Sequence, residues 1–154
     1  MAISEIDAIV CETSIAAQPE TVFAFFTQPD LYARWMGARA QLDPRPGGTY
    51  AVDINDLARA RGTFLEVIPH ERIVFTFGWE GDGQSVPPGS STVEVTLTPT
   101  ADGTHVRVVH RGLRLSETRD QHRDGWRLYL GRLEAVASGA EAGPDPNANP
   151  SREG

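Results

Sequence analysis

Histidine is the side chain in this sequence best suited to proton transfer or metal binding, because its ordinary pKa lies near neutrality. The four histidines are His70, His105, His110 and His122. His105 and His110 differ in parity on one predicted strand, so they face opposite sides of it and form no same-face metal pair. His110 shares its parity with two valines and is expected to point inward, while His122 lies on the apolar stripe of a predicted helix. A His110–His122 pair lining one end of a pocket is one interpretation, and hydrogen-bonded histidines with a purely structural role are the other.

A metal or cofactor site is not expected. Cys11 is the one cysteine, and the chain has no close-spaced motif of histidines and carboxylates. A structural zinc site usually needs four such ligands. The segment DPRPGG lacks the GK[ST] sequence of a phosphate-binding loop. We therefore predict no metal and no cofactor.

Catalysis by a nucleophile also lacks a motif. There is no GxSxG sequence, and Cys11 lies in a predicted strand with no recognisable base beside it. Glu66, Glu94, Arg107 and Arg111 lie within predicted strands. An acid among them that faced the interior would have a raised pKa and could act as a general acid or base. The alternative places them on the solvent face of the sheet, with Arg107 and Glu94 paired across a hairpin.

An aromatic face is the feature that points to ligand binding. In the predicted strand from Arg72 to Trp79, the side chains of Ile73, Phe75, Phe77 and Trp79 share one face. Opposite them we expect aromatic residues of the C-terminal helix, which would give an aromatic pocket between sheet and helix. Plain core packing is the competing interpretation. The candidate ligand-binding residues are Trp35, Phe64, Phe75, Phe77, Trp79, His110, His122, Trp126, Tyr129 and Leu130.

Gly125 and the segment around Trp35 admit two interpretations each. A glycine inside a helix costs about 1 kcal/mol relative to alanine, so Gly125 needs a reason. It either allows close approach of helix to sheet or leaves room for a ligand or a pocket mouth. Arg34 and Trp35 either cap a pocket entrance or are a surface arginine and a core tryptophan.

The element that must position these side chains is a helix from Ser116 to Gly139. Its large apolar residues recur at steps of three and four and form one stripe. That stripe comprises Trp126, Tyr129, Leu130, Leu133, Val136 and Ala137. Ser116 is the predicted N-cap, and Gly139 is the predicted stop.

Most of the preceding chain is predicted to be β-strand. The first strand, over 6–15, is followed by two short helices, one from Pro19 through Phe26 and one from Pro29 that ends at Gly37. The predicted strands are 6–15, a weak strand near Gln41, 49–54, 61–68, 72–79, 91–98 and 105–111. The sequence Ala101-Asp102-Gly103 predicts a hairpin between the last two strands. Local hairpin connections make the sheet antiparallel.

Composition excludes several classes of protein. Fourteen Lys and Arg against 21 Asp and Glu give a net charge of -7, without the basic stripe of a nucleic-acid binder. No apolar run is long enough to span a bilayer, so membrane insertion is not expected. The start, MAISEID, lacks a signal peptide, and a single cysteine fits a reducing compartment, which together predict a cytoplasmic protein. We predict one domain over 1–140 and a disordered Gly- and Pro-rich tail over 141–154.

Four strings in this order resemble the START-like helix-grip superfamily, also called SRPBCC. They are AAQPETVFAFFTQPDLYARWMG at 16–37, RGTFLEVIPHERIVFTFGW at 61–79, TVEVTLTPTADGTHVRVVHRGL at 92–113 and HRDGWRLYLGRLEA at 122–135. Within it, the chain is similar to the branch named after the C-terminal domain of the activator of the Hsp90 ATPase. The resemblance implies an α+β fold in which a curved antiparallel sheet of six or seven strands wraps around a long C-terminal helix, with two short helices after the first strand.

The resemblance also implies three functions, because fold alone does not select one. The leading hypothesis is a binding module for a small hydrophobic or amphipathic molecule between sheet and helix. The second is a cyclase- or hydrolase-type enzyme, for which His110, His122 and Glu66 are the candidate ionisable groups. The third is a protein-binding role resembling that of the Hsp90 ATPase activator, which predicts an exposed apolar or charged patch.

Overall fold

The computed structural model describes residues 7–143 and 145–147. Seven strands and three helices follow one another in the order β-α-α-β-β-β-β-β-β-α. The strands are β1 (Ile9–Ile15), β2 (Arg39–Leu42), β3 (Thr49–Asp53), β4 (Arg59–Ile68), β5 (Arg72–Phe77), β6 (Ser91–Thr100) and β7 (Gly103–Arg111). The helices are α1 (Pro19–Thr27), α2 (Pro29–Tyr32) and α3 (Ser116–Ala137).

The seven strands form one curved antiparallel sheet in the order β1-β7-β6-β5-β4-β3-β2. β-Branched and aromatic residues alternate with polar ones along the inner strands, which buries one face and leaves the other exposed. The short connections pair each strand with its neighbour in sequence, and only β1 returns across the fold to pair with β7. This is the predicted helix-grip architecture, and the strand predicted near Gln41 is present as β2.

Helix α3 packs its apolar stripe into the buried face of the sheet, where Trp126, Leu130 and Leu133 join the core. The helix ends where the sequence indicates, since Gly139 has a positive φ of 99° just beyond it. The predicted N-cap was wrong by one residue. Leu115 is the N-cap, and no side chain caps the first turn, so Ser116 lies inside the helix.

Two predicted elements are shorter than expected. Helix α2 stops at Tyr32 instead of continuing to Gly37, and hydrogen-bonded turns carry the chain through Met36. Strand β5 stops at Phe77 because its pairing with β6 ends there, and the loop residue Val86 takes the place of a β6 residue opposite Trp79. The backbone N–H of Trp79 donates to the carbonyl oxygen of Val86 at 2.7 Å, and Gly78 lies so close to that loop that a Cβ atom would overlap a backbone oxygen.

The outer face of the sheet carries the strand-borne charges. Arg111 Nε lies 2.8 Å from a Glu94 carboxylate oxygen, and Arg72 Nε lies 2.7 Å from Glu66. The predicted pairing of Arg107 with Glu94 was therefore wrong, because Glu94 lies opposite Val109 with Arg107 and Arg111 as its two diagonal neighbours, and its carboxylate pairs with Arg111. Glu66 and Glu94 thus face solvent and not the interior.

Part of the segment predicted to be a disordered tail over 141–154 lies against the domain, and the disorder of this tail stays a prediction. Ala142 packs against the core, and the Asp145 side chain is buried. Polar contacts, which hydropathy does not reveal, attach this segment to the domain. The remaining residues of the predicted tail, 144 and 148–154, lie outside the described residues.

Candidate ligand-binding cavity

A cavity of about 400 Å³ lies between the C-terminal helix and the end of the sheet near Phe77. Helix α3 contributes one wall, and the end of β5 with the residues just after it contributes another. The β3–β4 loop and Met36 complete the apolar lining. The apolar lining side chains include Met36, Ile54, Ala58, Phe77, Trp79 and Trp126.

Five of the ten candidate residues line this cavity: Phe77, Trp79, His122, Trp126 and Tyr129. They come together because the alternating face of β5 and the first half of the α3 stripe meet at one end of the sheet. The pocket is therefore at the end of the helix that carries the aromatic residues and the inward-facing histidines.

The other five candidates do not line it. Trp35, Phe64 and Phe75 are fully buried in the core. Tyr50, which was not among the candidates, stacks on Phe75 with ring centroids 4.0 Å apart and fills the space beside it. Leu130 lies one helical turn beyond the cavity and borders a second cleft, beside β1. His110 lies directly behind the cavity wall.

Trp35 has a structural role. Its indole Nε1–H donates to the carbonyl oxygen of Phe25 at 2.9 Å, and its side chain has no exposed surface. The alternative in which Trp35 caps a pocket entrance is therefore wrong. Arg34 is exposed and lies over the ring of Phe25, 5.6 Å from its centroid.

His110 is locked in one neutral tautomer by three neighbours. The Ser91 hydroxyl donates to the carbonyl oxygen of Phe77 at 2.7 Å, so its oxygen must accept a hydrogen bond from Nε2–H of His110 at 2.8 Å. On the other side of the ring, Nδ1 accepts the indole N–H of Trp126 at 3.1 Å. Because an indole nitrogen is only a donor, this pattern assigns the proton of His110 to Nε2.

His122 has the complementary arrangement. Its Nε2 accepts the indole N–H of Trp79 at 3.1 Å, and its Nδ1–H donates to the carbonyl oxygen of Thr118 at 2.8 Å. Both ring nitrogens are used, so His122 presents its ring to the cavity without a free donor or acceptor. The same holds for the two tryptophans, whose N–H groups are both taken by histidines.

Both histidines are held uncharged. Burial, and to a smaller extent the neighbouring His122, lower the pKa of His110 to about 3. Burial also lowers the pKa of His122, against an opposing effect of the Thr118 carbonyl. A second proton on either imidazole ring would point at an indole N–H, and this repulsion also lowers the pKa of both histidines.

Gly125 lies in the cavity wall, and the structure decides between its two interpretations. A Cβ atom built at Gly125 meets no atom within 4 Å, so the residue does not serve close packing of helix against sheet. The missing side chain instead leaves space that belongs to the cavity.

Three carboxamides also line the cavity, on Asn55, Gln121 and Asn147. Sequence reasoning missed them because isolated Asn and Gln residues in loops or on an exposed helix face carry no distinctive signal. Asn55 follows β3, Gln121 precedes His122 on the helix, and Asn147 lies in the segment expected to be disordered. Met36, Ile54 and Ala58 were missed because loop residues have no apolar periodicity.

The cavity lining is uncharged. Among the lining residues that the structure describes, none is Asp, Glu, Lys or Arg. His122 and Tyr129 are the ionisable ones, and burial lowers the pKa of the first and raises the pKa of the second, so both are neutral at pH 7. Glu66, a candidate acid, is on the outer face of the sheet and does not line the cavity. Cys11 does not line it either, and burial raises the pKa of its thiol.

Within residues 7–143 and 145–147, no three His, Cys, Asp or Glu side chains are arranged to hold a metal ion. The same residues include no helix that is long and apolar enough to cross a membrane. The expectations of no metal, no cofactor and a cytoplasmic location stay predictions.

Residues 16–138 match the family model described as activator of Hsp90 ATPase homolog 1-like protein. The chain belongs to that family. The matched range covers α1 through the end of α3 and so includes the cavity walls, apart from Asn147. No functionally curated protein matches this sequence.

Solved structures agree with this assignment. An AHSA1-like protein from Rhizobium etli is 45% identical, with a TM-score of 0.73 over 90% of this chain and 86% of that one. CalU16 from Micromonospora echinospora is 25% identical, with a TM-score of 0.71 over 95% of this chain and 82% of that one. DynU16, a protein of the dynemicin biosynthetic locus, is 25% identical, with a TM-score of 0.77 over 88% of this chain and 49% of that one.

Proposed function

We propose that this family member binds a small, uncharged apolar or amphipathic molecule in the cavity between α3 and the sheet. The observation that carries the proposal is the cavity itself, about 400 Å³ lined by aromatic side chains without a charged residue among its described lining. Concave, mostly apolar sites with a few convergent polar groups are the usual design for small-molecule binding.

The size of the cavity supports an occupant. A dry cavity of this volume would cost about 10 kcal/mol at about 24 cal/mol per Å³. That cost is comparable to the whole stability of a domain, about 5–15 kcal/mol. Water or a ligand therefore fills the space, and aromatic walls hold water poorly. Replacing that water by an apolar molecule is favourable.

The polar groups of the lining indicate what part of a ligand they would contact. The carboxamides of Gln121 and Asn147 offer both donors and acceptors, whereas the Oδ1 of Asn55 already accepts the backbone N–H groups of Leu57 and Ala58. The indole N–H groups of Trp79 and Trp126 are already bonded to histidines. An amphipathic ligand would therefore place its rings against the aromatic walls and a neutral polar group near the carboxamides.

Titration with N-phenyl-1-naphthylamine, a neutral dye whose fluorescence rises in apolar surroundings, tests the proposal. Wild-type protein is expected to bind it with a saturable rise in fluorescence. Gly125→Leu, which fills the cavity, is expected to weaken binding at least tenfold. Gly131→Leu is the matched control, because Gly131 lies on the same helix, also has free space at its Cβ and does not line the cavity. Equal binding by all three proteins, or no binding by wild type, would overturn the proposal.

The enzyme alternative has one supporting observation. It requires an ionisable group at the cavity, and His122 lines it. However, both nitrogens of His122 are hydrogen-bonded within the protein, and the two other candidates, His110 and Glu66, do not reach the cavity. A general base must reach the substrate proton with a free lone pair. We therefore favour binding over catalysis.

The protein-binding alternative would require an exposed patch. The exposed large apolar side chains are spread over several elements: Val10 on β1, Leu57 in the β3–β4 loop, Leu65 and Ile68 on β4, Leu115 just before α3 and Leu128 on α3. A pull-down against Hsp90, with the wild-type protein and the Leu57→Ser variant as baits, tests this role. If neither bait enriches Hsp90, the protein-binding alternative is rejected.

A further inference from the structure

We propose that the C-terminal segment, defined by residues 141–143 and 145–147, is a clasp that closes the cavity and controls ligand access, with Asn147 as its ligand-facing residue. The inference rests on the proposed binding function. It assigns a role to a segment that lies beyond the family-matched range and whose composition suggests disorder.

Asp145 fastens the clasp. Its carboxylate accepts hydrogen bonds from the backbone N–H of Gly37 at 2.7 Å, from the hydroxyl of Tyr129 at 3.1 Å and from the backbone N–H of Asn147 at 2.8 Å. The residue is 8% exposed. The carboxylate therefore joins the turn after α2 to the C-terminal helix, although Asp145 itself is not part of the cavity lining.

Asn147 crosses the mouth of the cavity. Its backbone carbonyl accepts a hydrogen bond from the Asn55 carboxamide at 2.8 Å, which ties it to the β3–β4 loop. Its own carboxamide donates to the Tyr129 hydroxyl at 3.2 Å, which ties it to α3. Because Asn147 also lines the cavity, it connects the two sides of the mouth and faces whatever is bound.

Arg132 anchors the start of the clasp. Its guanidinium donates to the carbonyl oxygens of Ala142 at 3.2 Å and Gly143 at 3.1 Å, and through Nε to that of Trp35 at 2.9 Å. This buried anchor is on α3, so the segment remains attached to the domain when the Asp145 contacts break.

The clasp can open without unfolding the core. Gly143, Pro146 and Asn147 are exposed, and hydrogen bonds rather than buried apolar side chains fix the part at the mouth. Segments of this kind open with a smaller free energy than the global unfolding of the domain. Opening of a closing segment commonly limits the rates of ligand uptake and release.

Stopped-flow measurement of N-phenyl-1-naphthylamine association and dissociation tests the proposal. The variants are Asp145→Asn, which puts an amide in place of the carboxylate, and a chain truncated after residue 140. Asp102→Asn is the matched control, because it makes the same charge change in an exposed hairpin turn where Asn-Gly is equally suitable. Exchange of the Gly37 amide proton reports whether the clasp has been released.

Both release variants are expected to raise the association and dissociation rate constants at least tenfold, with faster Gly37 exchange, while Asp102→Asn matches wild type. Wild-type binding with rate constants within twofold in both variants would overturn the clasp and leave the binding function intact. Absence of binding in every protein would overturn the binding function and the clasp together.

Discussion

The imidazole rings of His110 and His122 pack edge to face, with centroids 5.2 Å apart and planes at 89°. Each ring accepts one indole N–H, His110 from Trp126 and His122 from Trp79. Two tryptophans and two histidines therefore form one hydrogen-bonded cluster, in which Trp79, His122 and Trp126 line the cavity and His110 lies behind them. Ser91 and the Thr118 carbonyl accept the two remaining ring N–H groups, so every ring nitrogen of the cluster is hydrogen-bonded and these polar side chains lie in the interior at little cost.

The first prediction is that acid destabilises the protein through His110. Its pKa falls to about 3 in the folded chain, below the ordinary value of 6.5. Between these values the unfolded state binds more protons, so the free energy of unfolding decreases as pH falls below about 6.5. The loss from His110 should be about 2 kcal/mol at pH 5, at about 1.36 kcal/mol per pKa unit.

Urea denaturation at pH 7 and pH 5 measures this loss. His110→Gln is the comparison, because it removes the titrating ring of His110. The carboxylates and the other three histidines, including His122, remain. The variant should lose less stability than wild type between the two pH values. Equal losses would show that His110 is not responsible.

The second prediction concerns the tryptophan that holds His110. Trp126→Phe removes the indole N–H and leaves Nδ1 of His110 buried without its donor, which should destabilise the protein by about 1–3 kcal/mol. The same change frees Nδ1 to accept a proton, so the pKa of His110 should rise. Thermal denaturation and an NMR titration of the His110 ring measure the two effects. Trp35→Phe is the control, and a rise of the His110 pKa in that variant would contradict the explanation.

The third prediction is discrimination by charge. Naphthalene-1-carboxamide and 1-naphthoate have nearly the same shape, but only the second is an anion at pH 7. Burying an unpaired carboxylate against an uncharged lining is unfavourable, whereas a carboxamide can pair with Asn55, Gln121 or Asn147. The carboxamide should displace the naphthylamine dye at least tenfold more effectively. Equal displacement would indicate a cationic group within reach of the ligand.

The fourth prediction concerns helix stability at the cavity. Gly125→Ala adds a methyl group in free space and should raise the free energy of unfolding by up to about 1 kcal/mol, because alanine is the better helix former. Gly131→Ala, with the same free space on the same helix, should show a similar gain. Chemical denaturation compares the two variants. A loss of stability in Gly125→Ala alone would mean that its neighbourhood is tightly packed.

The fold was largely predictable because periodicity determines which elements form and which faces are buried. The stripe from Trp126 to Ala137 and the alternation from Ile73 to Phe77 were enough to place helix against sheet. The end of β5 was not predictable, because it depends on a backbone hydrogen bond between Trp79 and the loop residue Val86. The alternation of side chains along the strand does not indicate such a bond. Ser116 has the chemistry of an N-cap, but the chain enters the helix one residue earlier.

The cavity was predictable only where it consists of regular elements. Phe77, Trp126 and Tyr129 follow from parity and helical spacing, whereas Phe75 has the right parity yet lies deeper, covered by Tyr50. Whether a residue lines a cavity or fills the core depends on its depth along the sheet, which periodicity does not encode. Asn147 was beyond reach because its position depends on hydrogen bonds to Tyr129 and Asn55 and not on hydrophobicity.

The pairing of both cavity tryptophans with histidines has a spectroscopic consequence. The chain has three tryptophans, and two of them, Trp79 and Trp126, border the cavity while Trp35 is sealed in the core. A bound molecule would therefore alter the emission of two indoles and leave the third as a constant internal reference. The protein thus carries its own optical reporter for whatever occupies the cavity, and ligand screening can proceed without a label.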